Sequence, residues 1–229
     1  MPYHSIDEIL RRCRDRACPF WQVVLTTQAK ETQLPESAVL DQMDQMAKAM
    51  EDSITQYDPT AVTTGKMGGH NGARLAEYNQ KGDTLLGDYL SAVIAAAVQV
   101  AESNACMKRI VAAMAAGGLV YLAGGDNDAI AQGAAMALKN MLGLVCDPVA
   151  GLVETPCIKR NAAGAANAVV AAQMALAGIQ SVIPPDEIID AMYEIGCQLP
   201  ACLRETSQAG LATTPTGQKI AEKLGQNQF

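Results

Sequence analysis

The stretch Asn161-Ala162-Ala163-Gly164-Ala165-Ala166-Asn167-Ala168-Val169-Val170-Ala171-Ala172-Gln173-Met174-Ala175-Leu176-Ala177 carries no charge, and the uncharged run continues to Pro185. A run this long could cross a bilayer, which takes about 20 apolar residues. Its content points elsewhere. Asn161, Asn167, Gln173 and Gln180 carry amides that hydrocarbon penalises, and most of the remainder is alanine and glycine. A helix buried inside protein fits both facts, because small side chains let neighbouring helices approach while each amide finds a partner. Pro156 stands where a proline is tolerated, at the first turn of this helix.

Working outward, the same helical signals recur. Ser5-Ile6-Asp7-Glu8 is a capping box, and Ile6, Ile9, Leu10 and Cys13 mark one face of the helix that follows. A second helix is predicted from after Pro19 to about Thr32. A third begins near Pro35, striped by Val39, Met43, Met46, Met50 and Ile54, the first four of them assigned to the core, and Asp58-Pro59 ends it. Residues 60–84 hold Gly65, Gly68, Gly69, Gly72 and Gly82, too dense for regular structure. Helices are then expected over Leu85–Ala116 and Asn127–Leu142, with a loop at Val145–Thr155 broken by proline and glycine. Pro184-Pro185-Asp186-Glu187 opens a further helix that Pro200 interrupts, and Thr216–Leu224 forms the last. Nowhere do four or more residues alternate as a strand would. The expected fold is all-α.

Composition narrows the partners. The chain has 229 residues, enough for one large or two small domains. An apolar share of 49% with a mean hydropathy of +0.07 is that of a globular protein, and an aromatic share of only 4% leaves few rings to stack on bases. A net charge of -7 repels nucleic acid and anionic lipid, so small molecules or other proteins are the expected partners. Met1–Arg16 is rich in charge and unlike a secretory leader, which places the protein in the cytoplasm. There the seven cysteines, Cys13, Cys18, Cys106, Cys146, Cys157, Cys197 and Cys202, are expected as thiols or metal ligands.

The densest chemistry lies in Cys146-Asp147-Pro148-Val149-Ala150-Gly151 and Pro156-Cys157-Ile158-Lys159-Arg160-Asn161. Two thiols bracket one loop that can fold back on itself. Cys157 falls in the first turn of a helix, whose dipole favours a thiolate. Spacing alone favours two ordinary buried cysteines, because ten residues between them is not a diagnostic metal spacing. Arg160 and Asn161 can orient a substrate carboxylate or form a helix-surface pair and cap, and Arg204-Glu205-Thr206 offers a second polar patch. Gly65, Lys66, Gly68 and Gly69 can close backbone amides over a small carboxylate, or form a surface turn. His70, a lone loop histidine, reads as solvated.

The wording of these segments goes beyond their spacing. Residues 138–162, from Leu138-Lys139-Asn140-Met141 through Cys146-Asp147-Pro148-Val149 to Pro156-Cys157-Ile158-Lys159-Arg160-Asn161-Ala162, resemble the signature of the α chain of bacterial iron-sulfur-dependent L-serine dehydratases. Asp190-Ala191-Met192-Tyr193, Leu203-Arg204-Glu205-Thr206 and Gly210-Leu211-Ala212-Thr213-Thr214-Pro215-Thr216-Gly217 continue the likeness. Upstream, Thr64-Gly65-Lys66-Met67-Gly68-Gly69 is similar to the family's Ser-Gly-Leu-Thr-Gly-Gly loop, with Lys66 in an apolar place and His70-Asn71 where an acid is usual. Tyr78, Gly82, Thr84, Leu85, Gly87 and Asp88 keep the pattern that follows.

The resemblance implies a helical domain that binds a [4Fe-4S] cluster through three cysteines and deaminates L-serine to pyruvate and ammonia, an activity of amino-acid degradation and gluconeogenesis. It also implies an oligomer completed by a β chain, which carries the proton-abstracting histidine. Cys146 and Cys157 match two cluster ligands. The third lies in the family between a Pro-Thr-Ala-Gly motif and a Gly-Gly-Cys-Gln-Ala-Glu motif. Here Asn104-Ala105-Cys106-Met107-Lys108-Arg109-Ile110-Val111-Ala112-Ala113 runs directly into Met114-Ala115-Ala116-Gly117-Gly118-Leu119. That join reads as an internal deletion near 113–118, and Cys106, Cys197 and Cys202 fall where the family needs no ligand. Loss of the segment is expected to uncover Ile110, Val111, Met114, Leu119, Val120 or Leu122, or to leave them hidden in an oligomer. An inactive homologue serving as a binding or structural protein is the alternative.

Overall fold

The computed structural model describes residues 3–55, 74, 75, 78, 81 and 110–225. Among them are eight α-helices and no strand: α1 (Ile6–Arg16), α2 (Phe20–Thr32), α3 (Glu36–Thr55), α4 (Ile110–Leu122), α5 (Asn127–Lys139), α6 (Cys157–Leu176), α7 (Pro185–Gln198) and α8 (Pro215–Lys223). The all-α expectation holds for this family of helices. No helix among the described residues is long and apolar enough to cross a membrane.

The first helix shows how the chain starts its elements. Ser5 Oγ accepts from the Glu8 amide, as the capping box predicts, but the reciprocal arm reaches one residue further back: the His4 amide donates to Glu8 Oε2. The two amides left over, those of Ile6 and Asp7, donate to the carboxylate of Asp186 at the start of α7, 2.7 and 3.0 Å away. A distant residue thus finishes the cap. The hydrogen bond from His4 and then the Arg12 guanidinium hold the Glu8 carboxyl below its ordinary pKa. A lowered pKa adds stability above the unfolded-state value of about 4.3, and that contribution is lost as pH falls through the lower folded value. Urea midpoints of the protein and of Glu8→Gln should therefore differ by a constant amount near neutrality and converge in acid. A gap that persists in acid would assign the effect to something other than the charge.

At its C-terminus α1 turns through Ala17 in the left-handed region, with the Cys18 amide bonded to the Cys13 carbonyl and the Ala17 amide to that of Arg14. Asn127, first residue of α5, then fixes the α1–α2 link: its side chain accepts from the Phe20 amide and donates to the Cys18 carbonyl. Helix α2 spans the predicted residues. In α3, Val39 of the predicted stripe joins an apolar cluster with Leu25 and Ala29 of α2. Met43 and Met46 are 55% and 59% exposed, so their assignment to the core is corrected. A stripe of helical period shows which face is apolar, and a partner element decides whether that face is covered. The side chains of Met50 and Ile54 lie outside the described ones.

The main core is formed by α4, α5 and α6, joined by Ile188 of α7. Its inward residues are mostly alanines: Ala116, Ala135, Ala137 and Ala171 are fully buried. Such a core gains its energy from close backbone approach rather than from large side chains. Gly133 of α5 shows how close, since a Cβ there would stand 3.0 Å from Val120 Cγ2. Of the amides that argued against a membrane span, Asn167 has the partners this reading requires. Asn167 Nδ2 donates to the Ala137 carbonyl and its Oδ1 accepts from Asn140 Nδ2. With the Ala137 carbonyl so engaged, Met141 bonds to Leu138 in a tighter turn, and α5 ends at Lys139, three residues before the expected Leu142.

Along α4 the six residues expected at an uncovered face divide. Val120 is buried against Gly125 and Gly133, Leu119 is half-buried, and Met114 and Leu122 are 69% and 80% exposed. The side chains of Ile110 and Val111 lie outside the described ones. Of the helix expected over Leu85–Ala116, the described part is 110–116, within α4, and the glycine-rich region at 60–73 is likewise outside.

Candidate functional site

Three segments meet around Cys146 and Cys157. The first is the extended segment at 144–148, the second the start of α6, and the third the irregular segment at 201–214 between α7 and α8. Cys146 is held through its backbone: its amide donates to the Leu203 carbonyl at 2.9 Å, and its carbonyl accepts from the Glu205 amide at 2.7 Å. These bonds form an isolated parallel bridge between Cys146 and Arg204. The polar run Arg204-Glu205-Thr206 is therefore part of the same site rather than a separate patch.

The chain then turns back. Pro148 leads into a short 3-10 turn at Val149–Gly151, and the Val149 amide bonds to the Thr155 carbonyl at 2.9 Å, closing the loop at its neck. Pro156, which follows a cis peptide bond, precedes Cys157, the first residue of α6. The predicted fold-back of the loop is thus what the backbone does. Cys146 and Cys157 are both half-buried, and neither is in a disulfide.

Burial, and next the proximity of Cys146, push the Cys157 thiol above its ordinary pKa, while Arg160 acts in the opposite direction. The sequence expectation that a helix start would favour a thiolate is corrected to that extent. A partial charge at a helix N-terminus is outweighed once a thiol is taken from water and set beside another sulfur.

Beside the cysteines lies a part-buried ion pair. Asp147 is only 2% exposed, and both its oxygens are engaged: Oδ1 accepts from Arg160 Nη1 at 2.8 Å and Oδ2 from the Leu211 amide at 2.8 Å. Arg160 Nη1 also donates to the Val145 carbonyl at 2.9 Å. Ser207 Oγ closes the far side by donating to the Pro148 carbonyl. At Gly210, whose φ is +63°, a Cβ would come within 2.4 Å of Asp147 Oδ2, so both the backbone conformation and the carboxylate call for glycine.

Of the predicted site residues, Cys146, Cys157 and Arg160 come together, and Asn161 follows on α6, half-buried. Gly65, Lys66, Gly68 and Gly69, with His70, lie outside the described residues. Leu75 packs on Ile158, the residue after Cys157. Asp147 and Gly210 were overlooked as site residues. Their only sequence signal is a carboxylate directly after one cysteine and a glycine far along the chain, and their pairing exists only in three dimensions.

A [4Fe-4S] cluster takes thiolate ligands, and Cys146 and Cys157 have the right donor chemistry and neighbouring positions. They make two donors. Among the described residues no group of three or more His, Cys, Asp or Glu is placed to hold a metal ion, and Cys106 lies outside them.

Comparison with known proteins gives a consistent picture. The family model described as serine dehydratase alpha chain matches residues 15–113 and 111–212. A probable L-serine dehydratase alpha chain of Bacillus subtilis (strain 168) is 63% identical over 111 residues, covering 48% of this chain and 37% of that protein. Its counterpart in Latilactobacillus sakei is 58% identical over 112 residues, 49% of this chain and 53% of that one. These matches span about half or less of either relative. The L-serine dehydratase alpha chain of Peptoniphilus asaccharolyticus is 31% identical over 277 residues, covering 93% of this chain and 95% of that protein.

Proposed function

Because this chain belongs to the serine dehydratase alpha chain family, we propose that it is the α subunit of a cytoplasmic L-serine ammonia-lyase. In this reading it works in an oligomer with a β chain and converts L-serine to pyruvate and ammonia. The observation that carries the proposal is the convergence of Cys146, Cys157, Arg160 and the 203–211 segment on one spot, all within residues 111–212 that the family model matches.

Cys146 and Cys157 would hold two irons of a [4Fe-4S] cluster, whose open iron supplies Lewis acidity toward a hydroxyl group. The chain's own contribution is placement. The bridge to Arg204 and the start of α6 set the two sulfurs, the exposed part of Arg160 and the amide of Asn161 offer donors for a substrate carboxylate, and Gly65, Lys66, Gly68 and Gly69 offer backbone amides for the same group.

A second reading, a cluster-free homologue with a binding or structural role, is favoured by the alignments. The family model matches in two stretches that meet at 111–113. The alignment with the Peptoniphilus chain runs over 277 positions, while 93% of this chain's 229 residues is about 213, which leaves about 64 positions without a counterpart here. These observations support an internal deletion at the join, in the part of the family sequence that carries the third cysteine.

Iron and acid-labile sulfide separate the two readings. Protein purified anaerobically together with a β chain is expected to hold both elements, and to lose them in Cys146→Ser and Cys157→Ser. Equal iron and sulfide in all three preparations would remove the ligand assignment, and none in any of them would favour the cluster-free reading.

A further inference from the structure

We propose that Asp147 is a positioning residue, whose carboxylate sets Cys146 and Cys157 to bind one shared soft-metal centre. The proposal rests on the reading that the two thiols share such a centre, and it assigns to Arg160 a duty beyond contact with substrate.

Asp147 directly follows Cys146, and Arg160 lies three residues after Cys157, so their ion pair ties together the two thiol-bearing segments within one helical turn of each sulfur. The tie has two strands. The same Arg160 Nη1 that meets Asp147 also donates to the Val145 carbonyl, so the guanidinium engages the residues on both sides of Cys146. A contact to substrate alone would require neither bond.

The second carboxylate oxygen accepts from the Leu211 amide, which adds the third segment. That segment in turn grips Cys146 through Leu203 and Glu205, and Pro148 through Ser207. Asp147 therefore stands where α6, the cysteine loop and the 203–211 segment all meet. Gly210 makes room for it, because any side chain there would collide with Oδ2. A carboxylate this deeply buried is tolerated only while both oxygens are satisfied, so loss of either partner should loosen the whole set.

The test uses the full chain without added iron and Cd2+ as the probe, a thiophilic ion whose bonds to thiolates absorb in the ultraviolet. Background from the other thiols is set by the double variant Cys146→Ser/Cys157→Ser. The unaltered chain should bind one Cd2+ above that background. Asp147→Asn, Arg160→Gln and Gly210→Ala should each bind it at least tenfold more weakly, with Arg160→Lys recovering part of the loss and the helical circular dichroism retained.

A purely structural role would instead lower the melting temperature and leave Cd2+ affinity unchanged, and that result would overturn the proposal. If Asp147→Asn loses its helical spectrum, Arg160→Gln against Arg160→Lys decides the matter, since both keep the carboxylate. No Cd2+ signal from the unaltered chain above background would overturn the shared-centre reading and the positioning role with it. Equal affinity in the variants would overturn the positioning role alone.

Discussion

Incubated with L-serine after anaerobic reconstitution, this chain by itself is expected to release no pyruvate above a protein-free blank. Two independent deficits lead to that result. Cys146 and Cys157 supply half of the thiolates that a fully cysteine-ligated four-iron cluster would use, so a cluster on them alone has irons open to loss and oxidation. Proton abstraction needs a base within hydrogen-bonding reach of the substrate carbon. The sequence has two histidines, His4 and His70; the His4 amide takes part in the cap of α1, and neither residue falls in a motif that resembles a catalytic one. In the proposed oligomer a β chain would provide the base, and a further thiol would have to complete the ligand set. Pyruvate measured with and without that partner distinguishes the cases. Turnover by the chain alone would refute both arguments, and turnover only with the β chain would show that another thiol, Cys106 among the candidates, completes the ligand set.

Gly133→Val is expected to destabilise the helical core. The new Cβ would stand 3.0 Å from Val120 Cγ2 and 3.6 Å from Ala175 Cβ, and the two methyl groups beyond it have no space between α4 and α6. Overpacking of this kind costs about 1 to 3 kcal/mol. Relief of the conformational freedom of glycine returns about 0.5 to 1 kcal/mol in a helix, too little to offset it. Met114→Lys on the exposed side of α4 should change stability by less than about 0.5 kcal/mol. Urea midpoints of the two variants compare them directly. A stable Gly133→Val protein would mean that the helices can separate at this point, contrary to a core in which Ala116, Ala135 and Ala171 leave no gap.

Much of this protein was determined by the sequence alone. Prolines and capping residues act within one turn of the chain, so Ser5, Pro19, Pro185 and Thr214 start helices in the structure where local chemistry requires. The alanine-rich stretch at 161–177 could be assigned to a buried helix because its amides rule out lipid and its small side chains rule in close packing. The Cys146 and Cys157 loop could be singled out because its residue types are rare and its wording resembles a known family. Tertiary structure alone decided the rest. The end of α5 is set by Asn167 of another helix, the cap of α1 is finished by Asp186, and the methionine stripe of α3 stays exposed at Met43 and Met46 because burial depends on what lies opposite. The same holds for the clasp of Asp147 with Arg160 and Leu211 beside Gly210: its members lie 13 to 64 residues apart, and no local pattern links residues whose only relation is that folding brings them together.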